Sequence, residues 1–245
     1  ISDAHYRCVW TFHQAILDGH SLTIIARELF SIYDALCDHE QWTLSTPRPY
    51  EDFVNWLRQG LLDDARGFWR RHLEGFSRAN DLSFGFPDMN SQEYGSQECL
   101  LSEELTAALE AIAREHELTF NTLVQGAWAI LLHRYTGDNE IVYGTTRSGL
   151  HFPVDGAKLM VGLFINTIPA RVSLSPGMSV LEVLMQVQQQ SIAVHPYEHA
   201  PLHMIQAWSE IQRGSPLFES ILIIENHVPN LYLRSQGGKW SHREF

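Results

Sequence analysis

The sequence predicts a mixed fold of the α/β (α+β) class, and three observations carry that expectation. Apolar residues recur at spacings of three and four through several long stretches, the mark of amphipathic helices. Between these lie short apolar runs, Ile141–Thr145, Leu163–Val172 and Phe218–Ile224, which read as strands. The 245 residues are 44% hydrophobic and 19% charged, an ordinary globular balance in a chain long enough to bury a core.

Taken in order, Arg7–Phe12 reads as a buried strand ending at His13. Asp18-Gly19 is a turn signal. Leu22, Ile25, Ala26, Leu29, Ile32, Tyr33 and Leu36 then trace one helical stripe, with Ser21 as its N-cap. The stretch STPRPYEDFVNWLRQG reads as a Pro-rich loop entering a helix, and a second helix runs through Asp64, Phe68, Trp69 and Leu73. Residues 77–96 are rich in Gly, Pro, Asn and Ser and read as a linker, which divides the chain into lobes at 1–76 and 97–245. Ser102 caps a helix that carries Glu103 and Glu104 in its first turn, where the helix dipole favours acids, and Leu105, Leu109 and Ile112 mark its expected buried face. Asn121–Tyr135 is a strongly apolar helix with Trp128 in its core face and Gly137 as its C-terminal cap. Val180–Ile192 completes the helices.

Composition narrows the function. The net charge of −12 repels nucleic acid and anionic membranes, and Phe68-Trp69 beside Arg70-Arg71 is too small a cluster to offset it. No run approaches the roughly 20 apolar residues of a membrane span, and no basic segment followed by an apolar one opens the chain, so a cytoplasmic location is expected. Cys8, Cys37 and Cys99 form no CxxC pair, so reduced thiols are expected. His195, His199 and His203 recur every four residues, but Pro196 and Pro201 break any helix between them, and no metal site is expected. Gly144–Leu150 lacks the GxSxG elbow of a serine hydrolase.

The segment Phe12–Ser21, FHQAILDGHS, holds the candidate chemistry. His13 and Gln14 stand at a strand end, Asp18 accepts hydrogen bonds or pairs with a cation, and Gly19 permits a tight turn into the helix. On spacing alone, an incidental polar pair in a strand–turn–helix is the commoner reading of so short a pattern.

That segment resembles the HHxxxDG motif of condensation domains of nonribosomal peptide synthetases, members of the chloramphenicol-acetyltransferase-like superfamily. Other stretches match the family in the same order. Tyr50-Glu51-Asp52-Phe53 with Trp56 resembles YxDYAxW, and Val161–Arg171 resembles GxFVNTLPxR. His195–His199 stands where the family has its HQDYPFE-like loop, and Arg213–Phe218 resembles RxxxxPLF, followed by Glu225-Asn226. The resemblance implies a two-lobed chloramphenicol-acetyltransferase-like fold, here the end of the N-terminal lobe plus most of the C-terminal lobe. It implies amide formation, in which the amine of a carrier-bound acceptor attacks a carrier-bound donor thioester in a tunnel between lobes. His13, Gln14, Asp18, Gly19 and Asn226 are then the catalytic candidates, and Arg147 and Asn166 the substrate-binding ones. No cofactor is expected to bind directly, since the phosphopantetheine arms arrive on the carriers. The implied partners are donor and acceptor carrier domains and a neighbouring adenylation domain. Carrier domains are acidic, so their docking surface on this acidic chain is expected to be a local basic patch.

Two departures from the pattern stand out. Gln14 occupies the place of the second His, and an amide does not titrate near neutral pH. Three readings follow: condensation by positioning, a degenerate domain that only docks carriers, or an engineered knockout. A related acyltransferase with a free acceptor is a further alternative. Leu150 replaces the Arg of GxxVxGR, and Arg147 is expected to contact Asp18 in its stead or to line the tunnel.

Overall fold

The structure, a computed structural model, describes residues 9–43, 46–59, 62–83, 95–150 and 156–224. They form two compact units, one drawn from Ile1–Gly60 and Ser148–Ile165, the other from Leu61–Arg147 and Asn166–Ile224.

The first unit holds helices α1 (Gly19–Cys37) and α2 (Glu51–Leu57) and a short 3-10 turn at Ala157–Leu159. Its core is Phe53, Ala157, Met160 and Phe164, with Tyr50, Trp56 and Leu150 packed against them. The aromatic rings interlock, Phe164 lying 5.0 Å from Phe53 and 5.2 Å, edge-on, from Tyr50.

The second unit is built on a three-stranded sheet of β1 (Glu140–Arg147), β2 (Asn166–Ser173) and β3 (Ile221–Leu222), in the order β2-β1-β3. β1 and β2 are antiparallel from Glu140↔Ser173 to Arg147↔Asn166, and β3 runs parallel to β1. β1 is buried on both faces, which is why it reads as a continuous apolar run rather than an alternating one. Ile141 and Tyr143 pack with Ala129 and Leu132 of α5 (Phe120–Thr136) and Val183 and Val187 of α6 (Val180–Val194). Val142 belongs to the other core, with Trp69 of α3 (Leu62–His72) and Ile205 of α7 (Leu202–Trp208). α4 (Glu103–Glu115) packs beside α5.

Most expected caps form. Ser102 accepts from the Leu105 N–H, and Gly137 closes α5 at φ 74°, where a Cβ would be strained; Ser179 and Glu182 add a reciprocal capping box that was not among those expected. Trp69, fully buried, donates its indole N–H to the Tyr197 carbonyl, and Phe68 stacks 4.4 Å from Tyr197, so these aromatics are core and not a base-stacking platform. Among the described residues, no helix is long and apolar enough to cross a membrane.

Several expectations are corrected. Residues 9–12 form no strand, and Val9 and Trp10 are exposed, because among the described residues no strand pairs with them; residues 7 and 8 of the expected strand lie outside the described residues. The N-cap of α1 is Asp18, not Ser21, and Gly19 is the first helical residue with no left-handed φ. Leu105 and Ile112 are 47% and 44% exposed. The contact of α4 is made instead by Ala113, whose small side chain lets the helix approach Leu123 and Leu184, with Leu109 beside it. β2 starts at Asn166 rather than Leu163, since the backbone groups of 162–164 are bonded to α1 and Tyr50. The strand expected over Phe218–Ile224 is only Ile221–Leu222. Phe218 presses its ring on Gly144, where a Cβ would lie 2.6 Å from it, and the chain pairs with β1 only after it, with the Ser220 carbonyl accepting from the Gly144 N–H at 2.8 Å and Ile221 and Leu222 opposite Gly144 and Thr145. The expected linker at 77–96 falls partly outside the described residues, as do Cys8 and Asn226.

Candidate functional site

Asp18, His20, Ser21 and Tyr50 organise the site in the first unit. Asp18, 6% exposed, uses both carboxylate oxygens. Oδ1 accepts from the Ser21 N–H at 2.9 Å and caps α1, while Oδ2 accepts from the Phe164 N–H at 3.0 Å. Ser21, fully buried, donates its hydroxyl to the Gly162 carbonyl at 2.7 Å and accepts from the Gly162 N–H at 2.9 Å. The Tyr50 hydroxyl donates to the Leu163 carbonyl, and the His20 Nε2 meets the Lys158 carbonyl at 2.9 Å. Burial, together with the nearby Asp18 charge, pushes the Tyr50 phenol up, which keeps it a donor. The DGHS tetrad is thereby locked to Gly162-Leu163-Phe164, more than 140 residues along the chain.

His13 and Gln14 lie in the turn that leads into this lock. The His13 carbonyl accepts from the Ile16 N–H at 3.0 Å, and its Nδ1 accepts from the Ala15 N–H at 2.9 Å. A neutral His13 therefore carries its proton on Nε2. Both His13 and Gln14 are exposed. In this arrangement His13 shapes the turn, Asp18 fixes its far end, and the Gln14 amide is presented as donor and acceptor.

Arg147 and Asn166 belong to the second unit and converge on one carboxylate-bearing loop. Arg147 ends β1, and its Nε stands 3.9 Å from Glu198 Oε2. Burial pulls the guanidinium below its ordinary value, and Glu198 opposes that. Arg147 thus has Glu198 as its ion partner within the second unit. Asn166, the first residue of β2, donates its amide to the carbonyls of Glu198 and Ala200 at 2.8 and 2.7 Å, tethering the His195–Ala200 loop. Beside Arg147, burial pushes the Tyr143 phenol up, and its hydroxyl donates to Gln125 Oε1 at 3.2 Å.

The family model for the condensation domain matches residues 1–242. The chain belongs to the condensation-domain family of nonribosomal peptide synthetases. Among its relatives, bacitracin synthase 1 of Bacillus licheniformis is 37% identical over 242 residues, which is 98% of this chain and 5% of that protein. A protein of the linear gramicidin synthase of Brevibacillus parabrevis is 42% identical over 222 residues, 89% of this chain and 4% of that protein. The chain thus spans a small fraction of these relatives' length. Among solved structures, the X-domain from teicoplanin biosynthesis superposes with a TM-score of 0.71 at 23% identity, over 85% of this chain and 49% of that one. The first condensation domain of the CDA synthetase gives 0.64 at 19%, over 77% and 42%. These likenesses establish the chloramphenicol-acetyltransferase-like fold of a condensation domain, a family that catalyses amide-bond formation.

Several residues that build the site of this condensation domain are not marked as site residues by the sequence. Ser21 reads there only as a cap, and Gly162, Tyr50 and Glu198 only as parts of matched stretches. A Ser three residues after an Asp N-cap is the one local signal that points to Ser21. Gly162 is required because a Cβ there would lie 2.1 Å from the Tyr50 ring.

Proposed function

We propose that this condensation domain joins a carrier-bound acyl thioester to the amine of a carrier-bound aminoacyl thioester, and that Gln14 acts by positioning. The amine nitrogen attacks the thioester carbonyl, the carbon–sulfur bond breaks, and the donor arm leaves as a thiol with the proton the nitrogen gives up. The observation that carries this reading is the Asp18–Phe164 and Ser21–Gly162 lock, which holds the HQxxxDG turn in a defined shape although its second His is gone. The Gln14 amide cannot supply the roughly 10²–10⁴-fold of a general base. An α-amine of pKa about 7.7–8.0 is already partly neutral near pH 7, so orienting it can replace deprotonating it. The donor and acceptor carriers are the proposed partners and their phosphopantetheine arms the substrates. His13 and Asp18 shape the loop, and Arg147 and Asn166 hold the His195–Ala200 loop.

The test is single turnover in the natural full-length protein, with both carriers loaded and the dipeptidyl thioester read by intact-protein mass spectrometry. Gln14→Ala is expected to slow product formation by at least about tenfold, since an oriented hydrogen bond is lost. The wild-type rate should follow the titration of the amine alone, whereas Gln14→His should add a second inflection near the imidazole pKa. Product from Gln14→His and none from wild type would instead establish the non-catalytic, carrier-docking reading.

A further inference from the structure

Two side chains that line one small crevice of the second unit each leave a buried nitrogen without a hydrogen bond. These are His72, the last residue of α3, and Arg147, the last residue of β1. Among the described residues, neither His72 Nε2 nor Arg147 Nε has a hydrogen-bond partner. The crevice, about 10 Å³, lies where those two ends meet β2 and α6, and Tyr143, Thr145, Gln190 and Ser191 line it beside them.

The surroundings hold both groups in place without satisfying them. The His72 ring packs parallel to Phe68 at 5.3 Å and edge-on to Trp69 at 5.5 Å, so rotation toward another partner would break both contacts. Burial, then the Arg171 charge, lowers its pKa to about 4, so the ring is neutral near pH 7 and Nε2 is free to accept or to donate. Glu198 Oε2 stands 3.9 Å from Arg147 Nε, close enough to balance its charge and too far to accept its hydrogen bond. The Arg147 Nε–H can only donate. A buried donor left unmatched is costly, and folded proteins pair nearly all of theirs with a protein group or an ordered water.

We propose that this crevice is a binding site for one ordered water, which accepts from the Arg147 Nε–H and bridges it to His72 Nε2. Its size matches the roughly 10–15 Å³ that a single water requires, which excludes a larger ligand. Its lining separates it from a dry cavity. Apolar cavities stay dry, whereas a buried water makes about three hydrogen bonds to polar groups that the protein leaves unpaired. Beyond the two nitrogens, the hydroxyls of Tyr143, Thr145 and Ser191 and the Gln190 amide stand round the site to supply the third. The bridge ties the end of α3 to the end of β1, and it lets Arg147 keep Glu198 as its ion partner with its Nε–H satisfied.

The experiment is a crystallographic density map of the natural full-length protein at a resolution that shows ordered water. One peak is expected within about 2.7–3.2 Å of both His72 Nε2 and Arg147 Nε. His72→Phe keeps the ring stack and removes the nitrogen, and the peak should vanish. His72→Gln, which carries a hydrogen-bonding atom at its tip, should retain it. A peak unchanged in His72→Phe overturns the bridge. Replacing chloride with bromide tests the rival occupant, since anomalous signal at the peak would assign it to an anion on Arg147 and overturn the water. The wild-type map decides alone if a variant does not fold: no peak, or a direct bond from either nitrogen to a protein group, overturns the site.

Discussion

Asp18 makes two hydrogen bonds that serve different ends. One caps α1, a role worth about 0.5–2 kcal/mol, and the other satisfies the buried Phe164 N–H, which would cost about 1–3 kcal/mol unpaired. Asp18→Ala is therefore expected to lower stability by about 2–4 kcal/mol, read from the urea midpoint. Asp18→Asn should recover about half of that, because its amide keeps one oxygen for the cap and turns an N–H toward the Phe164 N–H. A loss under about 0.5 kcal/mol for Asp18→Ala would mean that the lock is not what holds the turn. Gly19, its neighbour in the motif, has no such constraint: its φ is ordinary and a Cβ would meet nothing within 4 Å.

That contrast grows at the scale of elements. Segment 162–164 is held by α1 on one side and Tyr50 on the other, so Gly162 lies where two elements converge. Gly162→Ala drives a Cβ to 2.1 Å from the Tyr50 ring and should cost about 1–3 kcal/mol, as overpacked sites do. Gly19→Ala, at the first position of α1, should gain about 0.4–1 kcal/mol by restricting the unfolded chain. Thermal melting of the pair checks both signs at once. If Gly19→Ala is stable but slow in dipeptide formation, the motif glycine leaves room for substrate rather than for a turn. The second unit obeys the same logic at Gly144, which admits the Phe218 ring and so confines β3 to two residues.

At the scale of the molecule, one titration couples packing to pH. His72 ends α3 with its ring stacked 5.3 Å from Phe68 and near Arg171, and burial first, then that positive charge, lowers its pKa from 6.5 to about 4. The folded pKa lies below the unfolded one, so between these values the unfolded chain binds the extra proton and stability rises with pH. The stabilisation is complete above about pH 6.5 and is lost as pH falls toward 4. From pH 7 to about 4.5 the loss should be about 2–3 kcal/mol, measured as the drop in urea midpoint. His72→Phe keeps the ring stack and should flatten that dependence, and an unchanged slope would assign it to other groups.

The helices and the two longer strands were legible in the sequence because their causes are local. A 3.6-residue period places apolar residues of α6 on one face, α5 is marked by its apolar run, Ser102 caps its own helix, and Gly137 adopts the left-handed turn that ends α5. The ordered motifs also disclosed the family. What tertiary structure alone decided is how carboxylates and hydroxyls choose partners across long separations. Asp18 bonds to the Phe164 N–H, Arg147 faces Glu198, and residues 162–164 leave the strand ladder to bond α1 and Tyr50. None of these choices has a period or a neighbour in sequence, because each rests on which backbone N–H or charge the folded chain leaves nearest and otherwise unsatisfied.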